Sequence, residues 1–169
     1  NYFIGLITGI FDNLALKTDT QFGINFPYKT KIGLHNKDFL TEVRAKSPNI
    51  RVHINSNVEF INAIYHLREQ ILHRDLLDDV SFESHDNGNE WKANFVRIPK
   101  EVMECLDRIG DKPSEYDPFS VWGIYKIHDE IFLEPYQFSI KATEVLGKFV
   151  DKYLELLGYP IFNRGTQQF

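Results

Sequence analysis

The sequence predicts a mainly α-helical domain that carries one or two β-hairpins. Three features predict this fold class: helical apolar spacing near the start of the chain, a helix-capping pattern before a wide apolar stripe, and a turn dipeptide between two strand-like runs. The chain has 169 residues, of which 43% are hydrophobic, so it is long enough to bury a core. We expect one domain over residues 1–159 and a C-terminal tail over residues 160–169.

The first and last helices are predicted from apolar side chains that recur every three or four residues. In the first helix, over residues 2–18, this stripe consists of Phe3, Ile7, Ile10 and Leu14. The last helix follows Ser139 and ends at Gly158, with Pro160 beyond it. The apolar stretch at residues 2–16 is shorter than the roughly 20 residues of a membrane span, so we expect a buried helix and no membrane insertion.

Two helices are predicted in the first half of the chain after this stretch. A short helix over residues 37–47 follows Asn36 as its cap and stops before Pro48. The third helix of the chain begins with Ser56 and Glu59, which are spaced as in a capping box, where each side chain binds an unpaired backbone N–H. Its apolar stripe consists of Phe60, Ile64, Leu67 and Ile71.

The hairpins are predicted from turn chemistry and from runs of strand-forming residues. Asn87 and Gly88 together suit a tight hairpin turn. The strand-like runs around this turn are residues 80–84 and 91–98. A second hairpin is predicted from residues 121–127 and 131–135. Between the two hairpins, the pattern indicates a helix over residues 99–110, with Pro99 at its start.

Composition narrows the classes of function. A net charge of −5 counts against a broad nucleic-acid-binding surface, which is usually basic, but it leaves room for a local pocket where Arg and His meet one phosphate. Cys105 is the single cysteine, so the chain forms no internal disulfide and has no Cys-based zinc site. This cysteine usage fits a cytoplasmic protein. We expect no metal and no cofactor.

The candidate site lies in the late half of the third helix. Residues 66–75 read HLREQILHRD, which places four residues between Arg68 and His73. Because a helix turns about 100° per residue, these two positions lie about 140° apart and flank a groove rather than stack on one face. If two copies of the helix met across a twofold axis, two Arg and two His side chains would converge.

The stretch LREQILHR at residues 67–74 resembles the signature of the HEPN superfamily, in which an Arg precedes a His by four to six residues on a helix. The order of elements is also similar: a buried first helix, the motif helix and a long C-terminal helix. The resemblance implies a HEPN-like helical bundle that forms a homodimer through the third helix, with a composite Arg/His site. Many members are metal-independent ribonucleases of toxin or antiviral defence systems, and others have lost activity.

The residue types suit RNA cleavage by attack of the 2′-hydroxyl. His carries protons near neutral pH, and Arg holds phosphate while staying charged. We therefore assign His73 as general acid/base and Arg68 as phosphate clamp. Glu69 departs from the Asn, Asp or His that the family usually has there; it either orients a His or adds negative charge beside the phosphate. His66 and Arg74 are supporting candidates.

Several alternatives remain open at this stage. Arg68 and His73 are equally compatible with a partly exposed helix face and a salt bridge to a nearby carboxylate. A HEPN-like domain without activity, which dimerises or binds a protein such as an antitoxin, is the second hypothesis for function. His66, Glu69 and His73 share a face as metal ligands do, but no second helix supplies matching ligands. Asp12 interrupts the apolar first helix and needs polar surroundings; we expect it to face solvent, with a pairing to Arg68 as the alternative.

Overall fold

The computed structural model describes residues 2–73, 79–86, 89–109, 121–127 and 129–160. Within these residues the protein is mainly α-helical with one antiparallel sheet, which confirms the predicted fold class. The helices are α1 (Tyr2–Gln21), α2 (Lys37–Lys46), α3 (Pro48–Ser56), α4 (Val58–His73), α5 (Lys100–Arg108) and α6 (Pro135–Leu156). The strands are β1 (Asp79–Asp86), β2 (Asn89–Arg97), β3 (Ile124–Ile127) and β4 (Glu130–Leu133). The predicted tail lies outside the described residues apart from Pro160.

Helix α4 lies at the centre of the helical core, with α1 and α5 packed against it. Its fully buried side chains are Phe60, Ile61, Ala63, Ile64 and Leu67. From α1, Phe11 meets Phe60 and Phe149 edge-to-face, with ring centroids 6.1 and 5.5 Å apart. Burial of this aromatic cluster fixes α1, α4 and α6 relative to one another, and therefore fixes the charged residues that these helices carry nearby.

The third predicted helix begins later than expected, because a separate helix precedes it. Pro48 does not only end α2; it is also the first residue of α3, where its missing N–H has no cost. Ser56 therefore lies at the end of α3, and its hydroxyl donates to the Val52 carbonyl at 3.1 Å. The predicted capping box is wrong for this reason, and Glu59 instead accepts a hydrogen bond of 2.8 Å from Arg108.

The other helix boundaries differ for local reasons. Helix α6 begins at Pro135 rather than after Ser139, because the Glu134 carboxylate accepts the backbone N–H groups of Tyr136 and Gln137 at 2.9 and 2.6 Å. Ile10 was expected in the buried stripe of α1 but is 36% exposed, whereas Phe11 is fully buried.

Both predicted hairpins are present, and they join into a single sheet with the order β1-β2-β4-β3. The link between the hairpins is the antiparallel pairing of β2 with β4, in which Val96 lies opposite Leu133. Asn87 and Gly88 lie outside the described residues, although Asp86 and Asn89 pair across the position of the turn. Among the described residues, no helix combines the length and apolar character that a membrane crossing requires.

Candidate functional site at the interface of α1 and α4

Arg68 and Asp12 meet where α4 packs on α1. The Arg68 guanidinium nitrogen Nη1 lies 3.8 Å from Asp12 Oδ2, and the two side chains are 40% and 38% exposed. The sequence favoured solvent exposure for Asp12; the carboxylate is partly exposed and also pairs with Arg68, which was the alternative. At this distance and exposure the pair is loose, so the guanidinium keeps donors that face solvent.

Tyr65 holds the Asp12 carboxylate from the other side. Its hydroxyl donates a hydrogen bond of 2.8 Å to Asp12 Oδ1. Burial, and then the bond to the negative carboxylate, raise the pKa of Tyr65 well above its ordinary value of 10.0, so the phenol stays protonated as a donor. One carboxylate oxygen thus serves Tyr65, while the second faces Arg68.

His35 adds an imidazole to this cluster from the segment that precedes α2. Its ring lies on that of Tyr65, with centroids 3.9 Å apart and planes tilted by 43°. The ring is still partly exposed, and its partial burial is the main cause that lowers the pKa of His35 from 6.5, opposed by nearby Asp12 and assisted by Arg68. Gly33 makes room for the ring, because a Cβ at Gly33 would lie 3.0 Å from His35 Cε1.

Two surface clefts adjoin this cluster, and both are lined in part by Asp12 and Arg68. The first has a volume of about 360 Å³, and its further lining residues are mostly apolar or small: Ile4, Gly5, Thr8, Gly9 and Ile71. The second has a volume of about 470 Å³ and is more polar, with Lys29, Lys31, His35 and Asn36 on its walls. Arg68 therefore stands between an apolar cleft and a basic one.

The structure describes the other predicted site residues only in part. His73 is the last residue of α4, and its side chain lies outside the described part, as does Arg74. Glu69 is exposed and His66 is half-buried on the same helix. Among the described residues, no three His, Cys, Asp or Glu side chains are close enough together to hold a metal ion.

His35 is one of the residues near Arg68 that the sequence did not predict. It lies in an irregular segment between predicted helices, and its contacts come from residues of α1 and α4 that are distant along the chain. The one local signal is Asn36 directly after it, whose side chain accepts the Phe39 N–H at 3.0 Å and caps α2. That cap fixes the start of the helix but does not indicate where the His35 ring points.

Cys105 and the aromatic side chains near the second hairpin have structural roles in their described contacts. Cys105 is buried, and burial together with nearby Glu59 raises its pKa to about 11, so the thiol is protonated at neutral pH. Trp122 and Phe132 are buried, and Trp122 packs against Phe60 and Phe138. Tyr136, in contrast, is 73% exposed at the start of α6.

The fold and the site together define a mainly α-helical protein with an arginine between two surface clefts. The chain matches no family model, and no curated protein and no solved structure matches it significantly. The HEPN resemblance of residues 67–74 is therefore a hypothesis that rests on the motif and on the order of the elements.

Proposed function

We propose that the protein is a HEPN-like, metal-independent endoribonuclease with a composite Arg/His site at a homodimer interface. One observation carries the proposal: the Arg68 guanidinium is partly exposed between two clefts, and its ion pair with Asp12 is loose. An arginine in this state is positioned by the fold yet retains donors for a phosphate. A cytoplasmic toxin or antiviral defence system is the setting that the motif suggests.

The chemistry needs only a proton carrier and a fixed positive charge. The RNA 2′-oxygen attacks the neighbouring phosphorus, and its proton passes to a base; the P–O5′ bond then breaks, and the leaving oxygen takes up a proton. In our assignment the His73 imidazoles of the two subunits carry these protons. Arg68 binds the non-bridging oxygens and offsets the charge that develops on them. His66 precedes this pair along the chain, Glu69 lies between its two members, and Arg74 follows it.

An exposed apolar face of α1, the helix that packs against α4, supports the homodimer, so the proposed interface includes α1 as well as the predicted third helix. The large side chains of this face point away from the core and are Tyr2, Leu6, Ile10 and Leu16. Gly5 and Gly9 lie beside them, and nothing in the described structure comes within 4 Å of where their Cβ atoms would be. This face adjoins the apolar cleft beside Arg68. A second copy that covers it would bring a second Arg68 towards the first, as a composite site requires.

The proposal is tested by RNA cleavage in the presence of a chelator. Wild-type protein should cleave single-stranded RNA with EDTA present, and His73→Ala and Arg68→Ala should each reduce the rate by at least about 100-fold. Arg44→Ala is the matched control, since Arg44 is an exposed arginine on α2 and should leave the rate unchanged. No cleavage by the wild type, or equal cleavage by wild type and His73→Ala, would overturn the assignment.

The composite nature of the site has its own test. Dimers that contain one Arg68→Ala and one His73→Ala subunit retain one arginine and one histidine in a shared cleft, so mixing the two inactive variants should restore part of the activity. If each subunit carried an independent site, the mixture would be as inactive as its components. Leu6→Asp, on the exposed face of α1, should reduce both the dimer fraction in sedimentation and the cleavage rate.

A HEPN-like interaction domain without activity is the second candidate. Asp12 beside Arg68, the exposed Glu69 and the net charge of −5 favour it, because each weakens the attraction of a phosphate to this surface. The apolar face of α1 would then bind a second copy or a protein partner such as an antitoxin. Self-association that depends on Leu6, together with no cleavage of any RNA by the wild type, would select this function.

A further inference from the structure

We propose that the basic cleft beside Arg68 binds a further phosphate of a single-stranded RNA, through Lys29 and Lys31. The inference rests on the proposed function, since it extends the substrate beyond the phosphate at Arg68. Lys29 and Lys31 belong to a 3₁₀ turn at Lys29–Lys31, and with His35 and Arg68 they line one cleft. The cleft volume of about 470 Å³ is within the roughly 300–1,000 Å³ of typical ligand sites.

The charge of this cleft is opposite to that of the whole protein. Lys29, Lys31 and Arg68 contribute three positive charges to its lining, against the single carboxylate of Asp12. Within the described part of the chain, no carboxylate lies within ion-pair distance of Lys29 or Lys31. The chain has a net charge of −5, yet this concavity gathers three cations against one carboxylate, so it presents a local site for an anion, since concave walls focus the potential.

The two lysines are presented by an anchored turn rather than by a loose loop. Phe26 before the turn and Ile32 after it are both buried in the core. The backbone N–H of Phe26 donates to Asp19 Oδ1 at 2.9 Å, and that of Lys31 donates to the Tyr28 carbonyl at 2.8 Å. Because the backbone is fixed on both sides, binding an anion here orders only the lysine side chains, which lowers its entropic cost.

The cationic residues of the basic cleft suit a single-stranded RNA better than an isolated phosphate ion. Arg68 lines both the basic cleft and the apolar one, whereas the two lysines, from the 3₁₀ turn, line only the basic cleft. Cations from two different segments of the chain can bind two phosphates of one RNA backbone. The His35 ring, one face of which lies on Tyr65, adds a planar surface at the wall of the cleft, and unpaired bases stack on such rings.

The test measures binding without cleavage. A fluorescent ten-nucleotide RNA with 2′-O-methyl groups cannot react, so its anisotropy reports affinity for wild type and for Lys29→Ala/Lys31→Ala. We expect the double variant to lose roughly tenfold in affinity and about 0.7 per lost contact in the slope of log affinity against log salt. The control is Lys148→Ala/Lys152→Ala, which makes the same change in net charge on α6, where both lysines pair with glutamates.

The outcomes separate this inference from the proposed function. If the oligonucleotide binds through the two lysines but unmodified RNA is never cleaved, the ribonuclease assignment fails and the binding cleft stands. If both double variants lose affinity equally, or if wild type does not bind the oligonucleotide, the cleft is not an RNA site. If inorganic phosphate displaces the oligonucleotide at an equal concentration of phosphate groups, the cleft binds a single anion and not an RNA strand.

Discussion

Asp12 of α1 and Arg68 of α4 form an ion pair of 3.8 Å across the packed surface of the two helices. Tyr65 fixes the carboxylate through its hydroxyl, so the negative charge is held at a defined point beside the guanidinium. Exposed pairs of this kind contribute about 0.2–1 kcal/mol to stability, which is too little to explain the arrangement by stability alone. In the proposed site, the Asp12 carboxylate would weaken the attraction of Arg68 for a phosphate.

Asp12→Asn should therefore tighten RNA binding while barely changing stability. The asparagine keeps an Oδ1 that accepts the Tyr65 hydroxyl, but it no longer opposes a phosphate at Arg68. We expect the free energy of unfolding to change by less than about 1 kcal/mol and the affinity for the 2′-O-methyl oligonucleotide to rise several-fold. Urea titration and fluorescence anisotropy at low salt measure the two quantities.

Asp151→Asn is the matched control for this variant, because Asp151 is an exposed carboxylate on α6 and its loss changes the net charge equally. An equal gain in affinity for both variants would assign the effect to net charge and would remove Asp12 from the site. A gain confined to Asp12→Asn that disappears in Arg68→Ala would identify the ion pair as its source.

The sequence predicted the long helices and both hairpins because each carries a local signal. Apolar spacing marked α1, α4 and α6, and runs of strand-forming residues marked the hairpins. Helix α3 was missed because Pro48 serves as both the end of one helix and the first residue of the next. The joining of the hairpins into one sheet depends on the pairing of β2 with β4, which no local pattern encodes.

The part of the candidate site that lies on one helix, α4, could be predicted from the sequence. Arg68 was found from its spacing to His73, whereas its contact with Asp12 was only the alternative to solvent exposure, because a sequence does not show which helices pack together. His35, Lys29 and Lys31 were not predicted, because they reach the site only through the packing of the segment before α2 onto α1 and α4. Tertiary contacts of this kind leave no periodic pattern in the sequence.

Phe11→Ala should be strongly destabilising. Phe11 is fully buried and contacts the rings of Phe60, Tyr65 and Phe149, so its removal leaves a cavity where three helices meet. We expect a loss of about 3–5 kcal/mol in the free energy of unfolding, measured by urea denaturation. Lys17→Ala, at an exposed position of the same helix, should cost less than about 1 kcal/mol. A loss below that level for Phe11→Ala would contradict the position of this side chain in the core.

The Cys105 thiol should be unreactive in the folded protein. It is buried, and its pKa is raised to about 11, so at pH 7–8 almost none of it is the thiolate that reacts. We expect one equivalent of thiol to react with Ellman's reagent in strong denaturant and reaction to be slower by orders of magnitude in buffer. Glu59→Gln removes the negative neighbour but not the burial, so it should accelerate the native reaction only modestly. Rapid native labelling would show that Cys105 is accessible.

His35 should make stability depend on pH in one direction. Its pKa in the folded protein lies below the ordinary 6.5, with burial as the main cause, so near pH 6.5 the unfolded chain binds more protons than the folded one. The stabilisation from the neutral ring is thus fully present above pH 6.5 and is lost as the pH falls through the lower, folded pKa. The His35 ring proton should titrate below pH 6.5 in NMR spectra, and His35→Gln should reduce the rise in unfolding free energy over this window relative to wild type.

Asp12→Asn removes the carboxylate that favours the charged His35 ring, so it should lower the pKa of His35 further. An upward shift of the pKa in Asp12→Asn would show that Asp12 does not act on the His35 ring in this way.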